Sequence, residues 1–174
     1  MRRLGAATLL VTLSACATAQ GNMESNAPVA QSDTIRFSAG RCFGTCPVYS
    51  VTVEPDGSGV LLPEKYTAVP GETRFAVTPQ QYRRLRDSLA PFRPKTGTER
   101  KIVPGSADCK RMATDMPGYR IAWTRAKQEP THLDYYGGCH DPQHGRLRTA
   151  IAAIPKLLDI QKMLTPGPGK TGKE

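Results

Sequence analysis

Five cysteines are the residues of this chain best suited to do chemistry, and their spacing separates them into three groups. Cys42 and Cys46 lie in Cys42-Phe43-Gly44-Thr45-Cys46-Pro47, a CxxxC segment, while Cys109 and Cys139 are far apart and Cys16 stands near the N-terminus. A close thiolate pair is a candidate for redox exchange or for copper, a soft metal. Thioredoxin-like enzymes, however, place a CxxC at a strand-to-helix junction, where the helix N-terminus lowers a thiol pKa. Copper-delivery proteins with CxxxCP share that fold. Here the residues after Pro47 alternate as a strand, which argues against both uses of Cys42 and Cys46. In Cys139-His140-Asp141-Pro142-Gln143-His144, two histidines stand four apart, the spacing of zinc ligands on one helix face. His140 precedes the helix start expected at Asp141-Pro142, so the plainer reading is a disulfide cysteine beside two exposed histidines. For hydrolysis there is no GxSxG and no paired-carboxylate context. Asp108, Asp115 and Asp141 read as turn and cap residues. Gly169-Lys170-Thr171 ends a phosphate-loop pattern whose first glycine would fall on Leu164, so that pattern is discarded. No catalytic residue, no metal site and no cofactor is expected.

Cys16 has a different context. Met1-Arg2-Arg3 is followed by an uncharged apolar run to Leu13, then Leu13-Ser14-Ala15-Cys16. The run is shorter than the ~20 residues that span a bilayer and has the flanks of a secretory signal. Its end resembles the bacterial lipobox, so residues 1–15 are expected to be a lipoprotein signal peptide. Cys16 would then start the mature chain and carry acyl lipid of the palmitate kind, and two or more such chains anchor a protein stably. Ala17, rather than Asp, follows the cysteine, which points to the outer membrane, facing the periplasm.

The elements that must position these residues occupy the middle of the chain. Its 174 residues form a prior for one domain. With 39% hydrophobic and 22% charged residues it can build one core, which excludes a multidomain enzyme, a coiled coil and a polytopic membrane protein. The 24 Lys and Arg against 15 Asp and Glu give +9. Export argues against nucleic acid as the partner for that excess, and anionic headgroups or solubility explain it better. Residues 16–33 are polar and aperiodic, a flexible tether. Residues 165–174 hold too little apolar surface to order themselves and read as a disordered tail.

Between them, residues 34–164 read as a single α+β domain. Ile35 and Phe37 alternate with polar neighbours, as do Tyr49, Val51 and Val53. Pro55-Asp56-Gly57 turns the chain into a partner over 59–62, and residues 65–69 and 74–77 are two further short strands. Thr78-Pro79-Gln80-Gln81 carries a helix cap, with Tyr82, Leu85 and Leu89 on one face. Residues 94–117 show no periodicity and read as a long loop. Tyr119, Ile121 and Trp123, then Leu133 and Tyr135, form a second hairpin. A last helix from Asp141-Pro142 buries Leu147, Ile151, Ile154 and Leu158, and Pro155 should kink or split it. The expected architecture is an antiparallel sheet of about five to six strands with two helices on one face.

Cys42-Phe43-Gly44-Thr45-Cys46-Pro47-Val48-Tyr49, followed by a strand and Asp56-Gly57, resembles the signature of a bacterial family called domain of unknown function 6438. Thr114-Asp115-Met116-Pro117 before a strand extends the resemblance, as does Tyr136-Gly137-Gly138 with Pro142 before a helix. It covers roughly residues 34–164. Members are commonly exported and often lipoproteins, and no catalytic residues are established for them, so none is carried over. Four cysteines besides Cys16 permit three pairings. The resemblance implies that Cys42 and Cys46 pair with each other, leaving Cys109 to Cys139. Chain entropy assigns about 2 kcal/mol to the small ring and nearly 4 kcal/mol to the large one.

The expected function is a non-catalytic binding or structural module of the cell envelope. It would be held to the membrane by lipid on Cys16 and would contact an envelope protein or small ligand. The alternative is a periplasmic thiol-redox or copper-binding protein using Cys42 and Cys46.

Overall fold

Apolar residues at every second position build the sheet, because side chains on a strand alternate between its two faces. A computed structural model describes residues 32–165 of the chain. The expected signal peptide, the Cys16 acceptor, nearly all of the tether and the tail beyond Thr165 lie outside these residues. Seven strands form one sheet: β1 (Thr34–Ala39), β2 (Val48–Val53), β3 (Ser58–Lys65), β4 (Thr73–Ala76), β5 (Glu99–Ile102), β6 (Gly118–Thr124) and β7 (Thr131–Tyr136). Their order is β4-β3-β2-β1-β6-β7-β5. On central β1, Ile35 stands between Val53 and Trp123, Phe37 between Val51 and Ile121, and Ala39 between Tyr49 and Tyr119. These residues share one face, which Leu61, Leu133, Tyr135 and Ile102 extend into a single buried cluster.

Three helices cover that face: α1 (Pro79–Leu89), α2 (Gly145–Leu157) and the short α3 (Gln161–Leu164). α1 starts as its residues dictate. The Thr78 hydroxyl accepts from Gln81 N at 3.2 Å, and Gln81 Oε1 accepts from Thr78 N at 2.9 Å, which closes a capping box. Tyr82, Leu85 and Leu89 are buried on its inner face, and Tyr82 donates its hydroxyl hydrogen to the Asp33 carbonyl at 2.6 Å. The buried Asp33 carboxylate pairs with Arg93 and, at 3.2 Å, with Arg125. Arg36, Ser38, Arg120 and Asp134 occupy the uncovered face. There Arg120 grips Asp134 through two bonds of 2.6 and 2.7 Å. Among the described residues no helix is long and apolar enough to cross a membrane.

The α+β class holds, but several details of the expected architecture need correction, the third helix among them. The sheet has seven strands, and β5 lies parallel to β7 at its edge, pairing Arg100 with Leu133 and Ile102 with Tyr135. This strand sits inside the stretch read as a long loop. Its sequence, Glu-Arg-Lys-Ile, has one apolar residue and therefore no alternation to read; burial of Ile102 in the core holds it. Residues 65–69 are no separate strand. Lys65 ends β3, Tyr66 reverses the chain at φ 57°, and Ala68 N bonds the Met163 carbonyl at 2.9 Å.

The last helix is entered through a single turn of 3-10 helix (Pro142–His144), and the Asp141 carboxylate caps nothing. Pro155 lies within α2 without splitting it. The break comes later, at Asp159 with φ 56°, before α3. A proline in the last turn removes one i→i−4 donor, and little helix follows it to be displaced.

Candidate functional site

At the end of β1 the chain leaves the sheet through Gly40 and makes a tight excursion before returning as β2. Cys42 and Cys46 are bonded to each other with Cα atoms 5.9 Å apart. Gly44, at φ +125°, turns the tip in a conformation that side chains rarely adopt. Phe43 and Thr45 flank it, exposed, while Pro47 leads into β2 and Tyr49 is buried in the core.

The other two segments fold against this loop. Phe43 N donates to the Asp115 carbonyl at 3.0 Å, and Gly40 N to the Gly118 carbonyl at 2.7 Å. Asp115 takes a left-handed φ of 67°, tolerable for a short polar side chain, and its carboxylate accepts from the Thr114 hydroxyl at 3.0 Å. The Tyr136 hydroxyl accepts from Met116 N at 3.3 Å, Gly137 N donates to the Pro117 carbonyl at 2.8 Å, and Ala113 N to the Gly138 carbonyl at 2.9 Å. The Gly138 backbone comes so close to this loop that a Cβ there would stand 2.1 Å from the Ala113 carbonyl oxygen. Three segments remote in sequence thus become one end of the molecule, joined mostly through backbone groups.

The second disulfide joins Cys109 to Cys139 with Cα atoms 5.1 Å apart, beside this end. Around it the loop is held more firmly than its composition promises. Asp141 accepts from Lys110 N at 2.9 Å and Arg111 N at 3.2 Å. Burial opposes its charge, but these two donors, with His144 nearby, hold the carboxyl below its usual value. His144 is buried, not exposed as its sequence context implied, and its Nε2 lies 2.6 Å from the Asp108 carbonyl. His140 is exposed. Asp108 is held low by its hydrogen bond from Arg100. Among the described residues no three His, Cys, Asp or Glu side chains are grouped to hold a metal.

Two recesses flank the joined end. One, about 310 Å³, lies on the helix side, lined by Phe37, Pro47, Tyr49, Tyr119, Ile151 and Pro155. The other, a groove of about 400 Å³ on the uncovered side, includes Ser38, Glu64, Arg120, Asp134 and Tyr136. Burial raises the Tyr49 and Tyr119 hydroxyl pKa values, and the neighbouring phenol adds to each shift, Tyr119 to that of Tyr49 and Tyr135 to that of Tyr119. Both stay protonated at neutral pH. They can donate a hydrogen bond but cannot serve as bases or nucleophiles.

The large apolar side chains exposed among the described residues are Phe43 (86%), Met112 (52%) and Met116 (39%), all at this end. In the sequence Phe43 stands out only as part of a motif, and Met112 lies in a stretch without periodicity. An apolar residue in an aperiodic segment gives no sign of which way it will face.

No curated protein and no solved structure matches the chain. A family model does match, over residues 33–158, a span that takes in the CxxxC loop, the Thr114–Pro117 segment and the paired glycines, and the chain therefore belongs to the family described as domain of unknown function DUF6438.

Proposed function

We propose that this chain is an exported, non-catalytic module of the cell envelope, anchored by lipid on Cys16 to the outer membrane and facing the periplasm. The joined end would be its binding surface. One observation carries the binding part of this reading: the CxxxC loop, the 114–117 segment and the glycine pair converge on a single end, and that end presents Phe43, Met112 and Met116 to solvent. Exposed apolar side chains gathered in one place mark interaction sites more often than solvated surface. Both cysteine pairs are closed, and two disulfides suit an oxidising compartment. The lipobox at Leu13-Ser14-Ala15-Cys16 supports the anchor.

Labelling with an alkyne fatty acid tests the anchor. The wild-type chain should take up label and fractionate with membranes, and Cys16→Ser should do neither. Label retained by the mutant would overturn it. A photocrosslinking amino acid at Thr45 or at Gln80, on the far end of the fold, tests the surface. Adducts formed from position 45 but not from 80 support it, and equal adducts from both would remove it.

A further inference from the structure

The joined end carries charge as well as apolar surface. Arg41 precedes the disulfide loop, Lys110 and Arg111 precede Met112, and Lys65 lies with Arg41 around a small recess beside Cys42 and Gly44. All four are exposed. On the sheet's uncovered face Lys101 pairs with Glu99 and Arg120 with Glu99 and Asp134, while Arg36 donates to the Ser50 hydroxyl at 2.9 Å. The four at this end have no ion-pair partner among the described residues; Lys65 instead lies 4.8 Å over the Tyr66 ring. The carboxylates nearby are fewer. Asp141 is buried and committed to backbone donors, which leaves Asp115 and Glu64.

We propose that this end is a membrane-interface contact, in which Phe43, Met112 and Met116 enter the lipid surface while Arg41, Lys65, Lys110 and Arg111 face anionic headgroups. The inference rests on the reading of this end as a binding surface, and not on acylation of Cys16. A disulfide-closed loop holds the Phe43 ring outward with little entropy left to lose on insertion. Apolar side chains with cations on the same end are the combination that binds an anionic interface, where each basic side chain near the surface adds about 1 kcal/mol, or about fivefold.

The direction of the chain is compatible with an anchor as well. β1 runs toward the joined end, so the chain enters the fold at the opposite end. A residue spans up to about 3.5 Å, so the segment between Cys16 and Asp33 outreaches the ~20 Å length of a six-residue strand. An anchor at Cys16 and a contact at Phe43 can therefore share one membrane.

The test uses the full chain reconstituted on vesicles of phosphatidylglycerol in brominated phosphatidylcholine, with Phe43→Trp against Gln80→Trp. The buried Trp123 provides the same background in both. Emission from position 43 is expected to be quenched and that from 80 is not. Arg111→Gln in the Phe43→Trp chain should weaken the contact about fivefold, and pure brominated phosphatidylcholine should abolish it. Quenching equal at both positions, absent at 43, or insensitive to the anionic lipid would overturn the proposal. Intact mass reports acylation of the same sample separately. A protein adduct from position 45, with position 43 unquenched, would overturn the membrane contact and leave the binding-surface reading standing.

Discussion

Replacing both Cys109 and Cys139 with alanine removes the crosslink that ties the segment from β5 to β7 together. The closed loop holds 31 residues, with a sequence separation of 30. The chain-entropy relation gives about 12 cal/mol/K for such a loop, or about 3.7 kcal/mol at 25 °C. The five-residue ring at Cys42 and Cys46 gives about 2 kcal/mol by the same relation. In the folded protein the neighbourhood of the large ring is held in other ways: the Asp141 carboxylate on Lys110 N and Arg111 N, Ala113 N on the Gly138 carbonyl, and His140 N on the Arg111 carbonyl at 2.7 Å.

The bridge should therefore act mainly on the unfolded chain. Loss of the fully buried Cys139 sulfur adds a small void. The expected outcome for Cys109→Ala with Cys139→Ala is a loss of about 4 kcal/mol in urea unfolding of the full chain, together with a larger m-value, because the freed unfolded chain exposes more surface. Cys42→Ala with Cys46→Ala should lose about half as much. A loss of about 1 kcal/mol or less for the large ring would refute the reasoning, and so would a full loss at unchanged m, which would place the effect in the folded state. Disulfide mapping that linked either small-ring cysteine to Cys109 or Cys139 would refute the pairing itself.

Further outcomes follow from individual contacts. Asp141→Ala releases Lys110 and Arg111, so trypsin should cut there faster under native conditions, and an unchanged rate would show that the backbone bonds suffice alone. Gly138→Ala sets a Cβ against the Ala113 carbonyl and should cost about 1–3 kcal/mol, whereas Gly71→Ala, with open space around its Cβ, should be nearly neutral in the same thermal melts. The hydrogen bond from Arg120 holds Asp134 below its ordinary 3.8, so this pair stabilises the fold above that value and loses its effect as pH falls through the lower folded pKa. Arg120→Gln should flatten the acid limb of the stability curve, and an identical limb would refute the assignment.

Where residues act through local pattern, the sequence was readable. The Thr78 capping box, the alternation at Ile35, Phe37, Tyr49, Val51 and Val53, and the stripe at Leu147, Ile151 and Ile154 each follow from a period that only one element satisfies. β5 was not readable, because an edge strand with one apolar residue is placed by its neighbour β7 and not by its own pattern. Asp141 and His144 followed their local context only in part: a cap-like aspartate and a polar histidine were diverted to a loop 30 or more residues away.

The same division separates the address from the surface. The charged start, the short apolar run and Leu13-Ser14-Ala15-Cys16 are contiguous, so the proposal of export and of an anchor at Cys16 needed no fold. Pairing among the four remaining cysteines, and the convergence of Phe43, Met112, Met116 and four cations, depended on which chain ends the sheet order brings together. Contacts between distant segments are decided by the packing of the whole core, and nothing in the local spacing of those residues encodes it.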